Sequence, residues 1–211
     1  MKIPLSFFQQ DDVVSIAHQL IGKCLFTQIE GEITGGIITE TEAYKGVTDR
    51  ACHAFGGRRT VRNQVMYAQG GVVYVYLCYG LHHLLNFVTN QKDIPEAVLI
   101  RGIIPIHGLE IMLQRTGKSA ITLDVTNGPG KVSKALGITT ALNGTSLDSD
   151  LIWIEDGGVF IPPDQIMQTP RIGVEYAGKD AKLPYRFVLN SKDTSGFAYF
   201  RRGQQKPTPD L

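Results

Sequence analysis

The sequence predicts an α+β fold: a single domain over residues 1–200 with a curved, mainly antiparallel β-sheet and peripheral helices. Three observations predict it. Strand-like runs come in groups, with helical segments inserted between groups rather than alternating one for one. No repeat, low-complexity stretch or linker divides the 211 residues, a length that fits one domain. The chain is 43% hydrophobic and 19% charged, enough apolar matter for a core that needs no disulfide or metal.

The elements follow in order. Residues 11–21 carry an apolar face (Val13, Val14, Ile16, Ala17, Leu20, Ile21), with Asp11 or Asp12 as cap and Gly22 as stop, and predict a helix. Residues 23–30 and 33–44 predict two strands around Gly31, followed by a Gly- and Arg-rich loop from Gly46 to Arg62. A short helix is expected near Asn63–Tyr67. From Asn63 to Gln91 there is no Asp, Glu, Lys or Arg. The polar His82, His83 and Asn86 and the break at Gly80 make this two buried strands, 72–79 and 82–90, rather than a membrane span. A strand from Glu96 to Ile104 should end at Pro105. Helices are expected at 108–116 and 131–136. Beyond Gly144 short strands alternate with Pro/Gly turns, the last at Tyr185–Leu189. The polar tail Arg201–Leu211 is expected to be mobile.

The net charge of +1 gives no global field toward nucleic acid or membrane, so an anionic partner requires a local basic patch. Cys24, Cys52 and Cys78 are odd in number and far apart, which excludes a disulfide framework and a zinc finger and predicts reduced, buried thiols. The first residues show no signal-peptide apolar core. A cytoplasmic protein is expected, with no membrane attachment, no cofactor and no metal.

Several segments carry groups able to do chemistry. On a strand, Ile38, Glu40, Glu42 and Tyr44 share one face. Glu is depleted in strands, so this is either a solvated face or a carboxylate poised beside an aromatic wall, ionised at its ordinary pKa and able to orient or deprotonate water. Tyr74 and Tyr76 also share a face, which reads as core or cross-strand packing. Tyr79, beside Gly80 at a hairpin tip, is harder to explain as core and is able to wedge between stacked bases. His53 follows Cys52, but a Cys–His nucleophile pair acts through space and adjacency lends it little support, so His53 reads first as a structural or loop histidine. Arg58, Arg59, Thr60, Arg62 and Asn63 concentrate phosphate-type donors in one loop. Asn127-Gly128-Pro129-Gly130-Lys131 leads into a helix and offers a weaker phosphate site, without Walker spacing.

Taken together, the order of these pieces is specific: Thr41-Glu42-Ala43-Tyr44, His53, Arg59-Thr60, Arg62-Asn63, Met66-Tyr67, Tyr74-Val75-Tyr76, Tyr79-Gly80, Asn86, Val98-Leu99-Ile100-Arg101, Gly128-Pro129, Arg171-Ile172-Gly173 and Arg186-Phe187. The chain resembles the alkyladenine (3-methyladenine, methylpurine) DNA glycosylases from residue 3 to about 190. The resemblance implies a monofunctional enzyme that flips a damaged purine out of double-stranded DNA and hydrolyses its N-glycosidic bond with water. It implies Glu42 as the water-activating base and Arg101 as its partner. Tyr44, His53 and Tyr76 become the walls around the flipped base, Asn86 the group that rejects the 2-amino group of guanine, and Tyr79 the wedge. The DNA backbone falls to Arg58, Arg59, Thr60, Arg62 and Lys131. Val61 stands where relatives carry proline, and Gly196–Arg202 matches the family poorly. A compact bacterial monomer acting in the cytoplasm is expected. A non-catalytic binder of damaged nucleic acid on the same fold is the alternative. A glycosidase using Glu40 with Glu42 is weaker, because two carboxylates on one strand cannot flank opposite sides of a sugar.

Overall fold

The computed structural model describes residues 1–158 and 161–190. The expected mobile tail at 201–211 and the Gly196–Arg202 segment lie outside the described residues. Among the described residues the fold is a curled sheet of eight strands with three α-helices, a single α+β domain as predicted.

The chain begins with a 3-10 turn at Leu5–Gln9 and helix α1, Val13–Gln19, whose start is fixed by Asp12 accepting hydrogen bonds from the Val14 and Ser15 N–H groups. Strands β1 (Cys24–Ile29) and β2 (Glu32–Tyr44) form the first hairpin. A long loop then leads to β3 (Val73–Cys78) and β4 (His82–Thr89), the two strands expected from the uncharged stretch. No described helix is long and apolar enough to cross a membrane. Strand β5 spans Glu96–His107 and is followed by α2 (Leu109–Thr116) and α3 (Pro129–Ala135). Short strands β6 (Ile152–Glu155), β7 (Ile166–Thr169) and β8 (Arg186–Leu189) complete the sheet. The order is β3-β4-β5-β2-β1-β6, with β8 pairing both β2 and β7.

Pro105 does not end β5, contrary to expectation. β4 pairs β5 only at Glu96–Leu99, so the proline lies where that edge no longer needs its N–H. A register shift against Gly35 and Gly36 absorbs the ring's geometry at the same place.

β2 organises the site. Along one edge it pairs β5 from Gly35 to Tyr44; along the other it pairs β1 at Glu32–Ile37 and then β8 at Glu40–Glu42. The change of partner coincides with two opposed register shifts. Between Ile38 and Glu40 the extra residue is Thr39 on β2; between Glu40 and Thr41 it is Arg101 on β5. Bulges of this kind re-aim side chains. Ile38 consequently does not share the face of Glu40 and Glu42, as simple alternation predicts. It joins the main core cluster with Ala43, Ile100 and Phe187. That cluster lies between the sheet and helices α1 and α3. A second cluster (Cys52, Ala54, Met66, Tyr67, Tyr74, Val88, Ala97) packs the 46–67 loop onto β3, β4 and β5.

Gly70 fixes where the long loop hands over to β3. Its N–H donates to Asn90 O at 2.9 Å, and a Cβ there would meet Phe8 O at 2.3 Å and Asn90 O at 2.8 Å. Both obstacles are backbone, so neither can rotate away. Gly70→Ala should destabilise the protein by about 1–3 kcal/mol, the usual range for overpacking, read as a lower urea midpoint at unchanged m-value.

Candidate functional site

The carboxylates of Glu40 and Glu42 are buried, at 7% and 0% exposure, so the solvated-face reading of this strand does not hold. A buried carboxylate needs donors, and the fold supplies them from distant elements. Glu42 Oε2 accepts from the Tyr44 hydroxyl at 2.8 Å, and Oε1 accepts from the Ile172 N–H at 2.8 Å with Arg101 Nε at 3.4 Å. Arg101 Nε donates to Glu40 Oε1 at 2.8 Å, and Arg186 Nε donates to the same oxygen at 2.7 Å. Two carboxylates and two guanidiniums thus form one compensated network. Within it, burial pushes the Glu42 carboxyl above its usual pKa, while Arg101, the Ile172 N–H and Tyr44 pull it back and Glu40 adds to the rise. The ordinary value assumed from sequence is corrected accordingly.

A cavity of about 430 Å³ opens against this network. Tyr44, His53, Tyr76, Asn86, Arg101, Tyr79 and Arg62 all line it. Glu42 does not: its carboxylate is sealed directly behind Tyr44, Arg101 and Ile172.

The aromatic side of the cavity is built from β3 and the loop. The His53 ring meets Tyr76 edge-on, with centroids 4.7 Å apart. His53 Nδ1 is 2.9 Å from the hydroxyl of Tyr74, a buried ring that holds the imidazole in place. Burial, then the Arg62 and Arg58 charges, push the His53 pKa down, so the ring is neutral at neutral pH. The Asn86 amide donates to Tyr74 O at 3.1 Å and Leu84 O at 3.3 Å. Both its N–H bonds are used, and the amide forms a fixed part of the wall.

The predicted phosphate donors divide. Arg58, Thr60 and Arg62 line a groove of about 540 Å³ that shares His53 with the cavity and includes no carboxylate among its described lining residues. Thr60 is also tied to Asn63 Oδ1, through its N–H at 2.7 Å. Arg62 lies over the Tyr76 ring, 5.3 Å from its centroid, and donates to Leu77 O at 3.0 Å. Arg59 instead pairs with Asp93 at 3.0 Å and stacks on Tyr67, and Lys131 pairs with Asp124, which also holds Lys118. The structure brings neither Arg59 nor Lys131 to the cavity or the groove.

Sequence reasoning missed several participants. Tyr176, a solvent-exposed ring whose hydroxyl donates to Ala51 O at 3.1 Å, stands at the mouth of both the cavity and the groove. The Ile172 N–H is a backbone donor, which no residue type announces. Arg171 and Arg186 stand in the ordered motif with no role attached, and Asp49 was not singled out, because their partners lie far along the chain.

The model of the methylpurine-DNA glycosylase family matches residues 6–193. A Chlamydia felis (strain Fe/C-56) protein named "Putative 3-methyladenine DNA glycosylase" is 49% identical over 191 residues, covering 90% of this chain and 97% of its own. Proteins of the same name from Chlamydia abortus and Bacillus thuringiensis are 47% and 42% identical, covering 90% and 89% of this chain and 100% and 95% of their own.

Tyr79 stands at the hairpin tip, 93% exposed. It and Gly80 have φ of 51° and 70°, and the Leu81 N–H closes the turn onto Cys78 O at 3.1 Å. Two positive central φ values belong to a type I′ turn, which favours Asn-Gly. A tyrosine in this left-handed conformation costs roughly 1–2 kcal/mol, with no burial to offset it. Tyr79→Asn should therefore raise thermal stability, by up to about 1 kcal/mol, as measured by calorimetry.

Proposed function

This chain belongs to the methylpurine-DNA glycosylase family, and on that premise we propose that it flips alkylated or deaminated purines out of duplex DNA and releases them by hydrolysis. The observation that carries the reading is the meeting, at one cavity, of three aromatic side chains with an arginine backed by a buried carboxylate.

An alkylated purine such as 3-methyladenine is cationic and a good leaving group. The electron-rich faces of Tyr44 and Tyr76 suit a flat cation, and a neutral His53 adds no opposing charge. Asn86, fixed by two carbonyls, cannot turn aside for a 2-amino group, so it discriminates against guanine by shape. Water attacks C1′ with its oxygen and gives a proton to Glu42. The C1′–N bond breaks, its electron pair leaves with the base, and an abasic site remains. No lysine stands among the described lining residues to take C1′ as a Schiff base. The Glu42 charge also favours the oxocarbenium character that develops at the sugar. Because Glu42 is sealed in the free protein, the nucleotide must shift the Arg101 side of its cover to admit the water, while the Ile172 N–H stays on the carboxylate.

Tyr79 is the wedge: an exposed ring on a rigid turn fills the hole that flipping leaves, at an unstacking cost of about a few kcal/mol. The groove of Arg58, Thr60 and Arg62 takes the neighbouring phosphates. Arg59 and Lys131 are partly spent on aspartates and add less. The protein acts on DNA in the cytoplasm as a monomer.

The deciding experiment is incubation with duplexes carrying one lesion each, followed by alkaline cleavage of abasic sites. Glu42→Gln should keep the fold and bind lesion DNA but lose about 10²–10⁴-fold in single-turnover base release, the range for a general base. Near-normal release would remove Glu42 from the mechanism, and binding without release by the wild-type protein would make it a recognition module.

The pH dependence carries a sign. Glu42 accepts a proton only when ionised, and its pKa lies above the usual 4.5. The single-turnover rate should therefore fall on acidification with a midpoint above pH 4.5, and the Glu42→Gln variant should lack that limb.

A further inference from the structure

Arg171 lies outside the cavity lining, yet it touches β2, the Tyr44 ring and the loop that leads to His53. Its guanidinium pairs two-pronged with Asp49: Nη2 donates to Oδ1 at 2.8 Å and Nη1 to Oδ2, with the two side chains 0% and 1% exposed. Nη1 also donates to Ala43 O at 2.9 Å, between Glu42 and Tyr44 on β2. The guanidinium carbon lies 4.9 Å from the centroid of the Tyr44 ring. Asp49 in turn accepts from the Lys45 N–H and the Ala51 N–H, each at 3.0 Å, which sets the loop that carries His53. The next residue along the chain is Ile172, whose N–H holds Glu42.

We propose that the buried Asp49–Arg171 pair is the positioning device of this site, aiming the Ile172 N–H at Glu42 while backing the Tyr44 wall and anchoring the His53 loop. The inference rests on the glycosylase reading above and adds residues to it. A buried ion pair is a poor source of net stability, since a well-packed apolar replacement often does as well. What it supplies is geometry: Arg171 offers a planar fork with several donors at fixed angles, and four acceptors from three parts of the chain use it. Paired with Asp49, Arg171 places no net charge behind the ring that receives a cationic base.

The test compares single-turnover excision across pH by wild type, Arg171→Lys and Ile172→Pro. Lysine keeps the charge and loses the fork. Arg171→Lys should cut the rate tenfold or more at neutral pH, with lesion-duplex Kd within about twofold, as for an interaction made in the transition state. Its acidic limb should move to higher pH, because a carboxylate that loses an N–H donor holds its proton more tightly. Ile172→Pro removes that N–H at a half-exposed position while keeping both side chains of the ion pair, and should move the limb in the same direction. A folded Arg171→Lys variant with the wild-type limb overturns the proposal and leaves Arg171 a fold-stabilising residue. If Arg171→Lys does not fold, the Ile172→Pro arm decides alone, and an unmoved limb there overturns it. A wild-type protein that excises no lesion refutes the glycosylase reading, and this inference with it.

Discussion

A carboxylate with no access to water sits in the ladder of the longest strand, and much of the molecule is arranged to make that tolerable. Glu42 has three donors, each from a different place: the hydroxyl two residues along β2, the guanidinium of a β5 bulge, and the backbone of the 171–173 loop. Glu40 beside it needs two arginines. Leaving one member of such a network without its partner costs about 3–5 kcal/mol. That penalty explains the sharing of one edge of β2 between β1 and β8. Strand β8 delivers Arg186 directly opposite Glu42 in register, and its side chain reaches Glu40.

The same network sets the electrostatics of the cavity. Arg101 is divided between two carboxylates, so it presents little unbalanced positive charge to a cationic ligand. His53 is held neutral by burial and by nearby arginines. Arg58 lies along the groove, and Arg62 lines both the groove and the cavity, where it sits over the Tyr76 ring. The cavity walls are thus mainly neutral and aromatic, with Arg101 balanced by two carboxylates and Arg62 standing where cavity and groove meet. With a net charge of only +1, the chain achieves this by local placement rather than by overall basicity.

Much of the fold was legible because it rests on local signals. Runs of β-formers around Gly31 and Gly80 gave the hairpins, and Asp12 caps the first helix as its residue type leads one to expect. The exposure of Tyr79 followed from the glycine beside it. The bulges at Thr39 and Arg101 were not legible, because a bulge is a relation between two strands, and alternation along one strand cannot reveal it. The face assigned to Ile38 failed for that reason. The burial of Glu42 was equally invisible, since its cover arrives 130 residues later and includes a backbone N–H. Tyr44, His53, Tyr76, Asn86 and Arg101 were found by motif order, and the cavity gathers all five. Arg171 appeared in that order with no role attached, because its partner Asp49 lies 122 residues away.

The split edge of β2 also bears on the order in which the candidate site can assemble. The hairpin that carries Glu40 and Glu42 is made early in the sequence and pairs locally with β1. The groups that neutralise and orient those carboxylates come from residues 171, 172 and 186, and contacts of such long separation are slow to form. A chain that has folded through β5 holds two acidic side chains with Arg101 alone between them. The full set of donors to Glu40 and Glu42 is in place only once β8, the last described strand, has docked, so the geometry of the candidate site is tied to completion of the sheet.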